Sequence, residues 1–190
     1  SNAFTPTPVC IAARMSLITG LRAARTHWVS NSKLPGPAPV LPSLMGALAE
    51  SGYRTHAVGK LHFRGLHYGL HRHESMEETV SQRCDDDYLM YLKSHAVRTR
   101  YPQGLRDLLY FQPQTSGIPE KHAQSTWVAD RSIAFLREHV RYRGSRPFFL
   151  WSSWIAPHPP FAPCEPYDSM YEPDRMPLPI YAERPLATLP

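Results

Sequence analysis

A cysteine and an arginine four residues apart are the first side chains here whose types and spacing could do chemistry. Cys10 and Arg14 lie in the run Pro8-Val9-Cys10-Ile11-Ala12-Ala13-Arg14-Met15-Ser16-Leu17-Ile18-Thr19-Gly20. Ala12, Ala13, Met15 and Leu17 favour helix, and Gly20 supplies a stop. In a helix that begins near Cys10, the sulfur and the guanidinium share one face. Cys10 then sits at the positive end of the helix, where outward-pointing N–H groups favour an anion. Taken alone, a Cys-x-x-x-Arg pattern describes a buried cysteine beside a surface arginine. Its meaning depends on what the rest of the chain brings to it.

Two further segments carry matching chemistry. Lys60 and His62 are two apart, and in extended backbone they point to the same side. An ammonium and an imidazole so placed suit a tetrahedral oxyanion. His158 is flanked by Pro157 and Pro159, so its backbone has little freedom and its ring is suited to a fixed contact. The remaining histidines lie outside these motifs. His67, His71 and His73 could line a pocket or take a metal, and otherwise read as solvated. Asp85-Asp86-Asp87 reads as charge near the first turn of a helix.

These residues sit in three blocks that resemble the sulfatase family of the alkaline-phosphatase superfamily. Cys10-Ile11-Ala12-Ala13-Arg14 with Leu17-Ile18-Thr19-Gly20 is similar to the family signature. Gly52-Tyr53-Arg54-Thr55 with Gly59-Lys60-Leu61-His62 is similar to its second block, and Arg146-Pro147-Phe148-Phe149-Leu150 with Ala156-Pro157-His158-Pro159-Pro160-Phe161 to its third. The blocks fall in family order. The resemblance implies that a maturation enzyme oxidises Cys10 to formylglycine, whose hydrate is the nucleophile. It implies that Arg14 holds the formylglycine oxygens, that Lys60 and His62 bind the anion, and that His158 meets a substrate oxygen. Ala12 stands where the usual core motif has proline, a variant that bears on maturation more than on chemistry.

The resemblance also implies a calcium- or magnesium-like cation, held by a pair of aspartates on a strand before the cysteine block and by an aspartate with an asparagine or histidine well after the third block. Neither set is expected within these residues, so this fragment is expected to contribute no metal ligand and to be inactive by itself. On this reading residues 4–190 form one incomplete sulfatase-like domain, and Ser1-Asn2-Ala3 resembles a scar of tag cleavage. The expected activity is sulfuric-ester hydrolysis of a small anionic ester. The alternatives are hydrolysis of a phosphonate or phosphodiester monoester, and a truncated non-catalytic module that dimerises or binds anions.

The elements that must position these residues read as follows. Helices are expected over residues 10–21, 42–51, 83–95 and 122–142, and strands over 53–58 and 147–154. The helix at 42–51 has Leu41, Leu44 and Leu48 as its apolar face and Gly52 as its cap. In the helix at 122–142 the apolar stripe is Ala129, Ile133, Leu136 and Val140. The run 147–154 reads as a strand buried on both faces. Residues 22–41, with prolines at 35, 37 and 39, read as a long loop, residues 65–82 and 101–119 as irregular, and 156–190 as an ordered tail without regular structure. Alternating helices and strands imply an α/β layered fold with a mainly parallel sheet, flanking helices and long Pro-rich loops, the partial alkaline-phosphatase-like fold of the resemblance. Ligands of such sheets lie beyond the carboxyl ends of the strands, where all three blocks converge. Exposed sheet edges would favour pairing with another copy.

Composition sets outer bounds. The chain has 190 residues, 42% of them hydrophobic, with a net charge of +5 and 20 prolines. Its basic residues are scattered and form no run interleaved with aromatics, which argues against a nucleic-acid partner. No apolar run approaches membrane-spanning length, which argues against a membrane partner. Three widely spaced cysteines, Cys10, Cys84 and Cys164, do not make a disulfide framework or a structural zinc site, and the latter two read as plain thiols.

Overall fold

The computed structural model describes residues 4–32, 40–63, 66–77, 86–99, 101–102, 104–105 and 112–177. In chain order its elements are α1 (Cys10–Thr19), α2 (Ala23–Thr26), α3 (Leu44–Glu50), β1 (Arg54–Gly59), β2 (Arg72–Ser75), α4 (Asp87–Ser94), α5 (Gln124–Arg143) and β3 (Phe148–Ser153). The strands form one parallel sheet in the order β2-β1-β3. The expected α/β architecture with a parallel sheet is therefore present.

β1 is the centre because both its faces are apolar. Every residue from Thr55 to Gly59 is buried. Adjacent residues of a strand point to opposite faces, and here each joins its own core. Ala57 packs with Ile11, Met15 and Ile18 of α1 and with Met45 of α3. Val58 packs with Tyr88 and Leu92 of α4 and with Trp127 and Val128 of α5. Helices thus cover both faces, as a parallel sheet requires.

Several element ends follow from local chemistry already visible in the sequence. Gly20 ends α1 with φ 70° and donates its N–H to the Ser16 carbonyl at 2.9 Å. Gly52, with φ 88°, follows α3, where the N–H groups of Gly52 and Tyr53 reach back to Ala49 and Leu48. That is the paired carbonyl cap a left-handed glycine permits. Asp86 caps α4, accepting the Leu89 N–H at 3.0 Å, and Asp87 opens the helix. Asp85, Cys84 and the prolines at 35, 37 and 39 lie outside the described residues; Cys164 is a buried free thiol.

Other expectations are corrected. The four-residue helix α2 interrupts the segment read as a loop, and β2 lies within 65–82, also read as irregular. β2 is hard to see because its side chains are Arg72, His73, Glu74 and Ser75, which carry no apolar alternation. β3 is not buried on both faces: Phe148 is exposed and the rest are partly exposed, because β3 is an outer strand of the described sheet. On α3 the buried residue is Met45, whereas Leu44 is exposed. On α5 the stripe is displaced by one residue. Ile133, Leu136 and Val140 are exposed, and Val128, Ser132, Phe135 and His139 are buried. Two of the inward polar residues find hydrogen-bond partners there. Ser132 Oγ meets Ser152 Oγ of β3 at 2.6 Å, and His139 Nε2 donates to the Arg146 carbonyl at 2.7 Å. A hydroxyl and an imidazole with partners can occupy core positions that composition assigns to leucine.

A buried ionic group ties the layers together. The Glu74 carboxylate of β2 meets His56 Nε2 of β1 at 3.1 Å and accepts a short hydrogen bond from Arg131 Nε of α5. Burial by itself would raise the Glu74 pKa, but hydrogen bonds from His56 and Arg131, with the charges of Arg131 and Arg72, bring it down to about 2. A carboxylate whose folded pKa is depressed stabilises fully above its ordinary pKa and loses that stabilisation as pH falls through the folded value. Acid titration of wild type should therefore show stability falling between about pH 5 and pH 2, and Glu74→Gln should flatten that fall. Glu74→Ala should cost about 2 kcal/mol at neutral pH by chemical denaturation, because Arg131 is partly exposed and solvent screens its share of the pair.

Gly59 carries a second constraint. It has φ 94°, and a Cβ there would stand 1.9 Å from the Ser153 carbonyl oxygen. Gly59→Ala should therefore force β1 and β3 apart, with a loss of more than about 4 kcal/mol or no soluble folded protein, read by thermal melting.

Candidate functional site

α1 divides its residues by angle. Ile11, Ala12, Met15 and Ile18 enter the core. Cys10, Ala13, Arg14 and Leu17 face a cleft of about 850 Å³. The helix begins at Cys10, which is partly exposed, and the next backbone N–H, that of Ile11, donates to Asn31 Oδ1 at 3.0 Å. Asn31 thus satisfies one of the first-turn donors that Val9, at the cap position, has no side chain to meet.

The opposite walls come from the sheet. β1 and β3 end together, Gly59 being paired with Ser153. The Lys60 N–H prolongs the ladder by donating to the Ser153 carbonyl at 3.2 Å. Lys60 is only 3% exposed, yet it lines the cleft. Arg14 Nη1 donates to the Lys60 carbonyl at 3.3 Å, which fastens α1 to the end of β1. Beyond β3, the segment Trp154–His158 forms a further wall. Its turn is held by the His158 N–H donating to the Ile155 carbonyl at 2.9 Å. His158 Nδ1 lies 2.6 Å from the Pro159 carbonyl oxygen. A carbonyl only accepts, so Nδ1 carries the hydrogen and Nε2 is the atom that can exchange a proton.

Cys10, Arg14, Lys60 and His158 therefore share one cleft, at the carboxyl edge of the sheet where topology placed them. His62 does not stand among the described residues that line it. The strand ends at Gly59 and His62 adopts φ 57°, so the extended geometry expected to set Lys60 and His62 on one side does not hold. His67, His71 and His73 do not form a metal cluster: His73 Nε2 bonds the Gly59 carbonyl at 2.8 Å and His71 Nδ1 meets Thr55 Oγ1 at 2.6 Å.

One acidic residue escaped the sequence reading. Glu77 Oε1 accepts the N–H groups of Leu61 at 3.0 Å and His62 at 2.9 Å. Burial lowers the Arg14 pKa, and the nearby Glu77 carboxylate acts against that fall. Glu77 lies in a stretch without periodicity, and no spacing rule connects it to the Lys-x-His pair, so the sequence offered no signal for it. Among the described residues no three His, Cys, Asp or Glu side chains are grouped so as to hold a metal ion. The donors among the described residues do not make a cation site.

Comparison with known proteins bears on this arrangement. The family model described as Sulfatase matches residues 1–182. An arylsulfatase of Clostridium perfringens (strain 13 / Type A) is 29% identical over 202 residues, covering 96% of this chain and 40% of its own length. The multifunctional alkaline phosphatase superfamily protein PehA of Trinickia caryophylli is 36% identical over 84 residues, covering 44% of this chain and 16% of its own. Among solved structures, the phosphonate monoester hydrolase of Agrobacterium radiobacter superposes with a TM-score of 0.66 at 21% identity, over 92% of this chain and 37% of that one. The chain thus spans well under half the length of these relatives.

A cleft lined by Arg14 and the buried Lys60 should take up a small oxyanion. Inorganic sulfate at tens of millimolar should raise the melting temperature of the wild-type chain, by linkage to binding. Lys60→Ala and Arg14→Ala should each abolish most of that increment, even where they change the baseline melting temperature.

Proposed function

The chain belongs to the sulfatase family, and from that premise we propose that it carries the nucleophile and anion-binding half of a formylglycine-dependent sulfuric-ester hydrolase. The observation that supports this most is the convergence of Cys10, Arg14, Lys60 and His158, from three distant segments, on one cleft. Cys10 is partly exposed at the first residue of α1, where a maturation enzyme must reach it. Once converted, the residue would supply a hydrated aldehyde: one hydroxyl, releasing its proton to solvent, attacks sulfur as the bond to the alcohol oxygen breaks, and loss of the other hydroxyl's proton to solvent then breaks the carbon–oxygen bond to sulfate and restores the aldehyde.

The chain's own residues do the rest. Arg14 and Lys60 offset the charge of the sulfate oxygens, and the helix N-terminus adds its partial positive charge. His158 gives a proton through Nε2 to the departing alcohol oxygen, which requires the imidazolium form. In the resemblance a divalent cation completes the site; its carboxylates are not expected among these residues. The 190 residues by themselves should accordingly turn over substrate slowly or not at all. The partners on this reading are a small anionic ester and the formylglycine-generating enzyme.

The test begins with mass spectrometry of the Cys10 peptide after co-expression with a formylglycine-generating enzyme. Replacement of the thiol by an aldehyde is expected, and a wholly unmodified thiol would overturn the maturation step. Turnover of an aryl sulfate and of a phosphodiester of the same phenol should then be compared in this chain and in any longer product of its coding sequence. Preference for the sulfate, abolished by Cys10→Ala and cut by about a hundredfold or more in His158→Ala, supports the reading. A preference for the phosphodiester would move the assignment to phosphonate or phosphodiester hydrolysis. Efficient turnover by these residues alone would contradict the expected inactivity.

A further inference from the structure

Three features outside the catalytic reading carry chemistry. One is the apolar hollow beyond His158, lined in part by Tyr88, Ile118 and Phe161. Another is the cluster of Tyr91, His95 and His122, with the two histidine rings 5.2 Å apart. The third is Glu77, and its geometry leads furthest. Residues 60–62 turn sharply away from the strand, with His62 in the left-handed region. A non-glycine residue pays a modest cost in that conformation, which nearby contacts can offset. Here a single carboxylate oxygen, Glu77 Oε1, accepts two successive N–H groups, those of Leu61 and His62.

Glu77 is itself held. Its N–H donates to Asp86 Oδ2 at 2.9 Å, while Asp86 Oδ1 accepts the Leu89 N–H in the first turn of α4. The connection therefore runs from α4 through Asp86 to Glu77, from there to the turn after β1, and on to the Lys60 carbonyl that Arg14 grips. Glu77 is not among the described residues lining the cleft, so its charge stands behind the site. In that place it offsets the confined charge of Arg14 without lining the cleft itself.

We propose that Glu77 is the positioning residue of the anion site, its carboxylate fixing the Leu61 and His62 amides so that Lys60 is presented to a tetrahedral oxyanion. This rests on the reading of the cleft as an anion site. The chemistry asks for two acceptor lone pairs at one oxygen and a side chain long enough to reach both amides. Glutamine keeps both, and aspartate keeps the charge but is one methylene short.

The experiment measures the affinity of the chain for inorganic sulfate by NMR titration, with melting temperature recorded in parallel. Glu77→Ala and Glu77→Asp should weaken sulfate binding about tenfold, the loss of about 1.4 kcal/mol, and Glu77→Gln should stay within about threefold of wild type. The Leu61 and His62 amides should lose hydrogen-exchange protection in the first two variants and keep it in the third. If Glu77→Ala does not fold, the Asp and Gln variants decide the matter. Unchanged sulfate affinity in Glu77→Asp, with only a lower melting temperature, would overturn the proposal, as would Glu77→Gln binding as poorly as Glu77→Asp. Lys60→Ala distinguishes the two levels: no effect of it on sulfate would overturn the reading of the cleft, whereas loss of binding there with none at Glu77 would overturn only the role of Glu77.

Discussion

Two parallel strands run out of residues at the same level, and the rest of the structure depends on how closely they do so. Gly59 and Ser153 are paired, and the space between them admits no Cβ. The sheet can therefore close only if the last residue of β1 is glycine. That closure brings Lys60 and the Trp154–His158 segment off the sheet side by side, although they are far apart in sequence. A parallel sheet gives the carboxyl ends of its strands a common edge, and loops leaving that edge supply the residues that meet ligands.

The second requirement is electrostatic. An oxyanion site needs positive charge in a partly desolvated place, and such charge costs free energy when the anion is absent. Arg14 shows that cost, because burial pulls its pKa down. The fold answers with negative charge behind the turn and with hydrogen bonds that fix the positive groups to backbone, Arg14 to the Lys60 carbonyl being the direct case. On the proposed reading the charge is then already in place when an anion arrives, which is the physical content of preorganisation. The same economy appears at Glu74, where burial is outweighed by His56 and Arg131.

What the sequence disclosed, it disclosed where a local rule has a local cause. Gly20 and Gly52 end helices because no other residue turns left-handed so readily, and both do so here. Asp86 caps a helix because a short carboxylate meets a first-turn N–H. The three blocks were legible as motifs, and the α/β order sent them to one edge. What stayed hidden depends on partners distant in sequence. β2 is a strand because β1 lies beside it, with Glu74 paired to His56 and Arg131, and nothing in Arg-His-Glu-Ser announces that. The inward face of α5 includes Ser132 and His139, which are admitted to the interior only because Ser152 and the Arg146 carbonyl meet them. Counting apolar residues selected the neighbouring stripe, and the error came from treating hydrogen-bonded polar groups as surface. The Lys60–His62 pair misled for a related reason: alternation holds only while the strand continues, and the strand had ended at Gly59.

The division of labour on α1 shows why such a site cannot exist before the fold does. The residues that dock the helix, Ile11, Met15 and Ile18, interleave with those that face the cleft, Cys10, Arg14 and Leu17. Rotating the helix by one residue, about 100°, would turn the sulfur and the guanidinium out of the cleft and lift apolar side chains from the core. Burial therefore sets the azimuth of the reactive groups. The apolar residues of α1 thus do two things with one contact: they stabilise the layer, and they aim Cys10 and Arg14 at Lys60 and His158. On the proposed reading, a core substitution that lets α1 roll would therefore disturb the anion contacts together with the packing.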